Sequence, residues 1–208
     1  MSGFFISFEG IEGCGKSTQI KLMADRLENE GHKVVALREP GGTSSGEEIR
    51  KLLKHGPDAL TAEAELLLMN ASRAQLVREI IRPALAENSV VLCDRFHDST
   101  TAYQGHGRQL NLGFVESVIN IAVGNTIPDL TFLMEIPVQT SEQRILERVG
   151  TDRFEKCNRE FFERVSLGYI AIANNHPDRV IRIDSTQSVE NVSRIAWDFL
   201  SNKMQKHR

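Results

Sequence analysis

The stretch F-F-I-S-F-E-G-I-E-G-C-G-K-S-T-Q, residues 4–19, decides the fold of this chain. Its apolar beginning, residues 4–8, is typical of a buried strand, and Gly10–Ser17 then matches the pattern G-x-x-x-x-G-K-[ST]. A helix is predicted next, because apolar residues recur at helical spacing at Ile20, Met23, Ala24 and Leu27. Strand, glycine-rich loop and helix thus occur in the order that a phosphate-binding loop, or P-loop, requires.

The chemistry of phosphate binding explains the residue types in this loop. Glycines let backbone N–H groups surround phosphate oxygens, and the following helix aims its positive end at them. Lys16 can reach the β- and γ-phosphates of ATP, and the Ser17 hydroxyl suits Mg²⁺. A dinucleotide loop fits less well because its third glycine is missing. The residues predicted to bind ATP phosphates are Gly10, Ile11, Glu12, Gly13, Cys14, Gly15, Lys16, Ser17 and Thr18.

Alternation of strands and helices continues along the chain and favours a parallel sheet with helices on both faces. The predicted strands are Phe4–Glu9, Lys33–Arg38, Ser89–Asp94, Leu130–Ile136 and Arg179–Asp184. The connection from Gly41 to Asn88 is too long for one helix, and its middle, Ala62–Leu85, keeps helical spacing. We predict an α/β chain of the P-loop NTPase fold, with a five-stranded sheet and a single domain over residues 1–208.

Composition narrows the classes of protein. With 208 residues, 40% of them hydrophobic, the chain is long enough to bury a continuous core. With a net charge of −3, the chain lacks the strongly basic character of a protein that coats nucleic acid. No apolar run is long enough to span a membrane. Neither a nucleic-acid nor a membrane partner is expected. The three cysteines are far apart and show no CxxC spacing, which indicates a reducing compartment and a cytoplasmic protein.

The ends of two other predicted strands carry further candidates for phosphate chemistry. Asp94 ends the third strand, at the sheet edge where parallel sheets bind ligands, and it is predicted to hold Mg²⁺ together with Ser17. Arg38 ends the second strand before a Pro-Gly-Gly turn, and Arg95 follows Asp94 directly. Arginine grips two phosphate oxygens at once, so a second anion site is predicted beside the P-loop. A surface arginine beside a tight turn is the alternative for Arg38.

Taken together, four segments resemble the thymidylate kinases, the P-loop nucleoside-monophosphate kinases that convert dTMP to dTDP with ATP and Mg²⁺. The resemblance covers nearly the whole chain. The segments are F-E-G-I-E-G-C-G-K-S-T (8–18), R-E-P-G-G-T (38–43), L-L-L-M-N-A-S-R-A-Q (66–75) and D-R-F-H-D-S-T-T-A-Y-Q-G (94–105).

The resemblance assigns the acceptor site residue by residue. It implies that Arg38 and Arg95 hold the 5′-phosphate of dTMP and that Glu12 approaches the sugar 3′-hydroxyl. Tyr103 resembles the aromatic residue that lies under the deoxyribose and excludes a 2′-hydroxyl, although a tyrosine on a helix face also fills protein cores.

For the thymine base, the resemblance implies that Arg73 donates to O4 and that Thr100 faces N3. Gln104 belongs to the same dTMP site. Met69 is a departure, since the family usually has phenylalanine there, stacked on the base, and methionine offers no flat face. Met69 as ordinary helix core is the alternative.

A lid over approximately residues 142–156 is also implied. Gly13 stands where other members carry a basic P-loop residue, so the chain is similar to the bacterial-type members, in which lid arginines supply that charge. Arg153 and then Arg148 are the candidates, and the expected catalytic set is Lys16, Arg95, Arg153 and Arg148. A solvated charge run is the alternative for this segment. The family implies a homodimer. Other acceptors, such as dUMP or a deoxynucleoside, and a non-kinase ATP-binding module stay open.

Overall fold

A parallel sheet of five strands occupies the centre of the molecule, in the spatial order β2-β3-β1-β4-β5. The computed structural model describes residues 3–56, 60–146 and 157–207. The strands are β1 (Phe4–Glu9), β2 (Val34–Arg38), β3 (Val90–Asp94), β4 (Leu130–Glu135) and β5 (Val180–Asp184). All neighbouring strands pair in parallel.

Helices form the connections between the strands. Those before β4 are α1 (Lys16–Asn29), α2 (Ser44–His55), α3 (Ala62–Leu76), α4 (Arg82–Ala86), α5 (His97–Thr100) and α6 (Leu112–Val123). Those after it are α7 (Val138–Leu146), α8 (Arg159–Asn175) and α9 (Val189–His207). Two π-helical segments, Val77–Ile81 and Thr101–Gly107, follow α3 and α5. Across the described ranges, no helix is both long and apolar enough to cross a membrane.

The alternating side chains of β1 show that helices cover both faces of the sheet. Phe4, Ile6 and Phe8 join one apolar cluster with residues of α1, α8 and α9, whereas Phe5 joins another with residues of α3 and α6. A strand turns successive side chains to opposite faces, so each cluster marks one face. The predicted fold class, a five-stranded parallel sheet between helical layers, is therefore confirmed.

The predicted element bounds differ only slightly from the observed ones. β1 is as predicted, β2, β3 and β5 begin one residue later, and β4 ends at Glu135, one residue earlier than predicted. Pro137, which follows Ile136, has no backbone N–H with which to continue the ladder. The predicted helix over Ala62–Leu85 is interrupted by the π-helical Val77–Ile81, just before Pro83. Because proline lacks the N–H of a regular helical bond, the helix adjusts there.

Strand register brings three strand ends to the same edge of the sheet. Asp94, the last residue of β3, lies opposite Phe8 of β1 and opposite Arg38, the last residue of β2. The loops that leave β1, β2 and β3 consequently start side by side. This edge is where an open parallel sheet places its ligands.

Candidate active site

The predicted P-loop connects β1 directly to α1. The helix begins after Gly15, which has left-handed backbone angles and provides no side-chain cap to the first-turn N–H groups. Such an uncapped helix start attracts anions. The Lys16 ammonium is buried and donates to the carbonyl oxygens of Gly10 at 3.0 Å and Ile11 at 3.1 Å, and it lies 3.4 Å from the Cys14 sulfur.

Two of the loop glycines are required by close neighbours. A Cβ at Gly10 would lie 2.4 Å from the Met134 carbonyl oxygen, and a Cβ at Gly13 would lie 3.1 Å from Cβ of Arg144 in α7. Both have positive φ, +132° and +73°. Arg144 also donates to the Gly13 carbonyl at 2.7 Å, and Ser141 donates to the Glu12 carbonyl at 2.6 Å. Helix α7 therefore packs on the loop and fixes its outer side.

A cavity of about 270 Å³ opens beside the loop and collects most of the predicted site residues. The predicted residues that line it are Glu12, Gly13, Gly15, Lys16, Ser17, Thr18, Arg38, Met69, Arg73, Asp94, Arg95, Thr100, Tyr103 and Gln104. Gly10, Ile11 and Cys14 do not line it but contact Lys16 from behind. The donor and acceptor residues predicted from the sequence thus share one cavity.

The two predicted Mg²⁺ ligands lie in contact. Ser17 directly follows Lys16 in the chain, and its hydroxyl donates to Asp94 Oδ2 at 2.8 Å. A hydroxyl and a carboxylate are the hard oxygen ligands that Mg²⁺ prefers, and its other positions usually go to water and phosphate. Within the described part of the chain, no group of three or more His, Cys, Asp or Glu side chains could hold a metal ion. The pair therefore fits an ion held together with a nucleotide.

Arg95, which directly follows β3, lines the cavity. Its backbone has φ of +71°, an unfavourable left-handed conformation for a residue with a Cβ. Its Nη1 donates to the Gly10 carbonyl at 2.9 Å, and its Nη2 donates to Glu12 at 2.9 Å and to the Tyr103 hydroxyl at 3.0 Å. Tyr103 itself donates to Glu12. This turn of the chain directs Arg95 toward the loop that holds Lys16.

Arg38, at the end of β2, lines the same cavity. Its Nη2 donates to both carboxylate oxygens of Glu47, at 3.1 and 3.0 Å, and the arginine side chain is 55% exposed. A hydrogen bond from the backbone N–H of Gly42 lowers the pKa of Glu47 below its usual value, and the charge of the nearby Arg38 lowers it further. Glu47 therefore holds Arg38 at the cavity rim while part of the guanidinium stays open to a ligand.

Arg73 differs from the other two arginines because it is almost fully buried. It donates from Nε to Glu39 at 2.7 Å and from Nη1 to Asn70 and Thr100, at 2.9 and 2.7 Å. Nη2 donates to the Phe96 carbonyl at 3.0 Å. Burial raises the pKa of Glu39, and the adjacent Arg73 opposes that shift. The ion pair thus forms the floor of the region predicted to hold the base.

The remaining residues predicted for the base surround this floor. Thr100 is buried and accepts from Arg73, and Gln104 is buried and donates to Glu65 at 2.8 Å. Met69 is half-buried, packs on the main apolar cluster and lines the cavity. The side chains predicted for base binding are consequently held together by contacts that a short sequence motif does not reveal.

Several residues of the site were missed by sequence reasoning. Arg50 and Lys54 of α2 line the cavity, and their i, i+4 spacing within the Gly41–Asn88 connection was the available signal. Glu39 also lines it and directly follows Arg38. Ser99 lies within a quoted motif, but Tyr169 of α8 carries no local signature.

Ser99 and Tyr169 belong to a buried network around Glu9. The Glu9 carboxylate accepts from the Phe96 N–H at 2.7 Å, from Ser99 at 2.6 Å and from Tyr169 at 3.0 Å. Burial, and then the neighbouring Asp98, raise the pKa of Glu9 to about 7. A carboxyl group that titrates near neutrality therefore lies directly behind the cavity.

The predicted lid lies only partly within the described residues. Residues 142–146 form the end of α7, whereas Arg148 and Arg153 lie outside the described residues. Within α7, the arginine that contacts the P-loop is Arg144.

The fold, the P-loop and the arginines that line one cavity are those of a P-loop phosphotransferase. The family model "Thymidylate kinase" matches residues 8–195. Thymidylate kinases of Kosmotoga olearia and Gloeobacter violaceus are 45% and 46% identical, over 94% and 97% of this chain and 95% and 97% of theirs. The solved thymidylate kinase of Ehrlichia chaffeensis has a TM-score of 0.80 at 32% identity, covering 97% of this chain and 99% of that one. This chain belongs to the thymidylate kinase family, as its motifs predicted.

Proposed function

We propose that this protein transfers the terminal phosphoryl group of ATP to the 5′-phosphate of dTMP and releases ADP and dTDP. One observation carries the proposal. The Gly10 carbonyl accepts from Lys16, the predicted ligand of the donor phosphates, and from Arg95, the predicted ligand of the acceptor phosphate. The two cations therefore converge on one point of the P-loop, where a donor and an acceptor phosphate would meet.

Positioning and charge account for most of the chemistry in such a reaction. The P-loop N–H groups, the start of α1 and Lys16 hold the ATP phosphates, while Arg38 and Arg95 offset the charge of the acceptor. When dTMP binds, its phosphate replaces part of the protein contacts that these cations make in the structure. No general base is required, because the attacking phosphate is already an anion at neutral pH.

The sugar and base are recognised by the walls of the cavity. Glu12 accepts the sugar 3′-hydroxyl, and the Tyr103 ring closes the space that a 2′-hydroxyl would need. Arg73 donates to thymine O4 with Thr100 at N3, Met69 covers the face of the base, and Gln104 completes this wall. The amino group of cytosine would face a donor at that position, which lowers its affinity roughly tenfold or more.

A magnesium ion bound with ATP completes the donor side of the proposal. Ser17 and Asp94 hold it, directly or through water, in keeping with the hydroxyl–carboxylate contact between them. When bound, the ion neutralises the charge of the β- and γ-phosphate oxygens. Arg153 and Arg148 are proposed to add positive charge from the lid, and Arg144, which already contacts Gly13, lies on the same segment.

The proposal is tested by comparing ADP release with dTMP, dUMP, thymidine and AMP as acceptors. We expect dTMP to be the fastest. Thymidine turning over faster than dTMP would reject the assignment, and ATP hydrolysis without any dependence on acceptor would favour an ATP-binding module.

Arg38→Ala, assayed in the same panel, separates the two pockets. It should lower kcat/KM for dTMP by about 30-fold, while the KM for ATP stays unchanged, because it removes a charged contact to the acceptor only. Lys51→Ala, on the exposed face of α2, is the control and should behave as wild type. A parallel loss of ATP binding in Arg38→Ala would contradict the division of roles.

We also propose a single cytoplasmic domain that forms a symmetric homodimer. The three free cysteines suit a reducing compartment. Leu67 of α3 and Phe114 and Ile121 of α6 are exposed apolar side chains on helices that pack together, and they favour this face as the dimer contact. Light scattering after gel filtration should give a dimer for wild type and for the control Leu167→Glu on α8, and a monomer for Ile121→Glu. A monomeric wild type would reject the dimer.

A further inference from the structure

The last residue of β1 is a buried carboxylate that the proposed reaction does not use. Glu9 is 1% exposed, and its two oxygens are occupied differently. Oε1 accepts from the Phe96 backbone N–H, whereas Oε2 accepts from the hydroxyls of Ser99 and Tyr169. The Glu9 carboxylate is therefore the acceptor in each of these hydrogen bonds.

The same two hydroxyls touch Arg95. Its Nη1 donates to the Tyr169 hydroxyl at 3.1 Å and to Ser99 at 3.3 Å, and the two hydroxyl oxygens are 2.8 Å apart. A hydroxyl has one proton to donate and lone pairs to accept with. If Ser99 and Tyr169 give their protons toward an ionised Glu9, both keep lone pairs for the guanidinium. The ionised carboxylate thereby sets the direction of both hydroxyl protons.

We propose that Glu9 is a positioning residue, which acts through the Ser99 and Tyr169 hydroxyls to hold Nη1 of Arg95 against the cavity wall. Nη2 of Arg95, on the Glu12 and Tyr103 side, is then turned toward the acceptor phosphate. This inference rests on the proposed role of Arg95 in binding that phosphate. It assigns to Tyr169, on a helix remote from the P-loop in sequence, a share in recognising the acceptor.

Because of its burial and the charges around it, Glu9 changes its protonation state near neutral pH. Asp98 raises its pKa and Arg95 lowers it, burial being the largest cause of the rise to about 7. Asp98 is itself held by Arg179, at 2.6 Å. The Cys93 thiol, whose pKa burial raises well above its usual value, and the Tyr169 hydroxyl also face Glu9. When Glu9 gains a proton, it becomes a donor, and the hydroxyl that accepts from it must turn its own proton away from the carboxyl group, which rearranges the hydrogen bonds around Nη1 of Arg95.

The experiment compares Glu9→Gln and Tyr169→Phe with wild type by steady-state kinetics, varying dTMP and ATP separately. Glutamine fills the same space but presents an NH₂ donor, and phenylalanine keeps the ring and removes only the hydroxyl. We expect the KM for dTMP to rise about tenfold in both variants, with the KM for ATP changed less than about twofold. Glu135→Gln is the matched control, because Glu135 ends β4 as Glu9 ends β1, and its exposed pair with Arg182 lies outside the cavity.

A pH profile distinguishes positioning from a merely structural effect. The substrate phosphate titrates equally in all assays, so the ratio of wild-type to Glu9→Gln kcat/KM for dTMP isolates Glu9. We expect this ratio to grow as pH rises through about 7 and to approach one near pH 5.5. A ratio independent of pH, or equal rises in the KM for dTMP and ATP, would overturn the inference.

Tyr169→Phe keeps the test decisive if Glu9→Gln does not fold. A folded Tyr169→Phe enzyme with wild-type KM for dTMP would by itself overturn the inference. Failure of the proposed function would look different, since wild type would then show no dTMP-dependent ADP release, or Arg95→Lys would leave the KM for dTMP unchanged.

Discussion

The donor and acceptor pockets proposed for this cavity are built in different ways. In the donor pocket, Lys16 contacts Gly10, Ile11 and Cys14, which are six, five and two residues away in sequence. In the acceptor pocket, Arg73 binds Glu39, 34 residues away, and Arg95 binds Glu12, 83 residues away. The contacts of Lys16 thus form a local motif of one loop and one helix start, which the distant Asp94 joins only through Ser17, whereas these contacts of Arg73 and Arg95 exist only when the sheet has assembled.

Substrate choice therefore depends on the acceptor pocket more than on the P-loop. A local loop of backbone N–H groups binds any nucleoside triphosphate in the same way, because it contacts only phosphates. The acceptor pocket combines side chains from the P-loop, β2, α3 and the segment after β3, so the choice of acceptor depends on several elements of the fold.

The largest effect is expected for Lys16→Ala. Removal of the ammonium should lower kcat about 10³-fold, because the charge developing on the transferred group loses a preorganised contact. Affinity for dTMP, measured by calorimetry, should change by less than about twofold. Lys21→Ala, on the exposed side of α1, is the control with wild-type kinetics. A variant that lost dTMP affinity together with kcat would break the division between the pockets.

Glu39→Gln tests the long-range construction of the acceptor pocket. The change leaves the buried Arg73 guanidinium without its carboxylate partner, with neutral groups as its other recorded contacts, and should lower the free energy of unfolding by about 3 kcal/mol. Urea unfolding measures this. Glu135→Gln, which removes an exposed partner of Arg182, should cost less than about 1 kcal/mol. Equal losses in the two variants would show that Arg73 does not depend on its partner.

The donor pocket could be predicted from the sequence more completely than the acceptor pocket, because the contacts of Lys16 are local. The P-loop, β1 and α1 could be predicted because their residues are contiguous and their periodicity is strong. Arg38 and Asp94 could be placed at strand ends, since parallel strands share an edge. Arg73 and Tyr103 required the family resemblance. Glu39, the partner of Arg73, and the Tyr169 hydroxyl, a partner of Arg95, reach these arginines only through tertiary packing, which no local pattern encodes.

The pH dependence of stability tests the buried environment of Glu9. Its pKa is about 7 in the folded protein and 4.5 as an ordinary side chain, so folding favours the protonated form. Its contribution to stability is complete below about pH 4.5 and is lost as pH rises through about 7. Glutamine does not titrate. The stability of Glu9→Gln relative to wild type should therefore rise by about 2 kcal/mol between pH 5 and pH 8. Urea unfolding measures both proteins at the two pH values. The same difference in unfolding free energy between Glu9→Gln and wild type at pH 5 and pH 8 would contradict a buried, proton-binding Glu9.

The smallest effect is expected for Met69→Phe, which sharpens the comparison at a single wall of the acceptor pocket. Methionine already packs against the base region, but a phenyl ring adds a flat face, and an aromatic face stacks on a base more favourably than a thioether. The KM for dTMP should fall about threefold, and the KM for dUMP should fall in parallel, because stacking does not depend on the thymine methyl group. The KM for ATP should stay constant, since Met69 lies on the acceptor side. A dTMP KM that rises would show that the half-buried position has no space for a ring, and that methionine here is packing core rather than a weaker base contact.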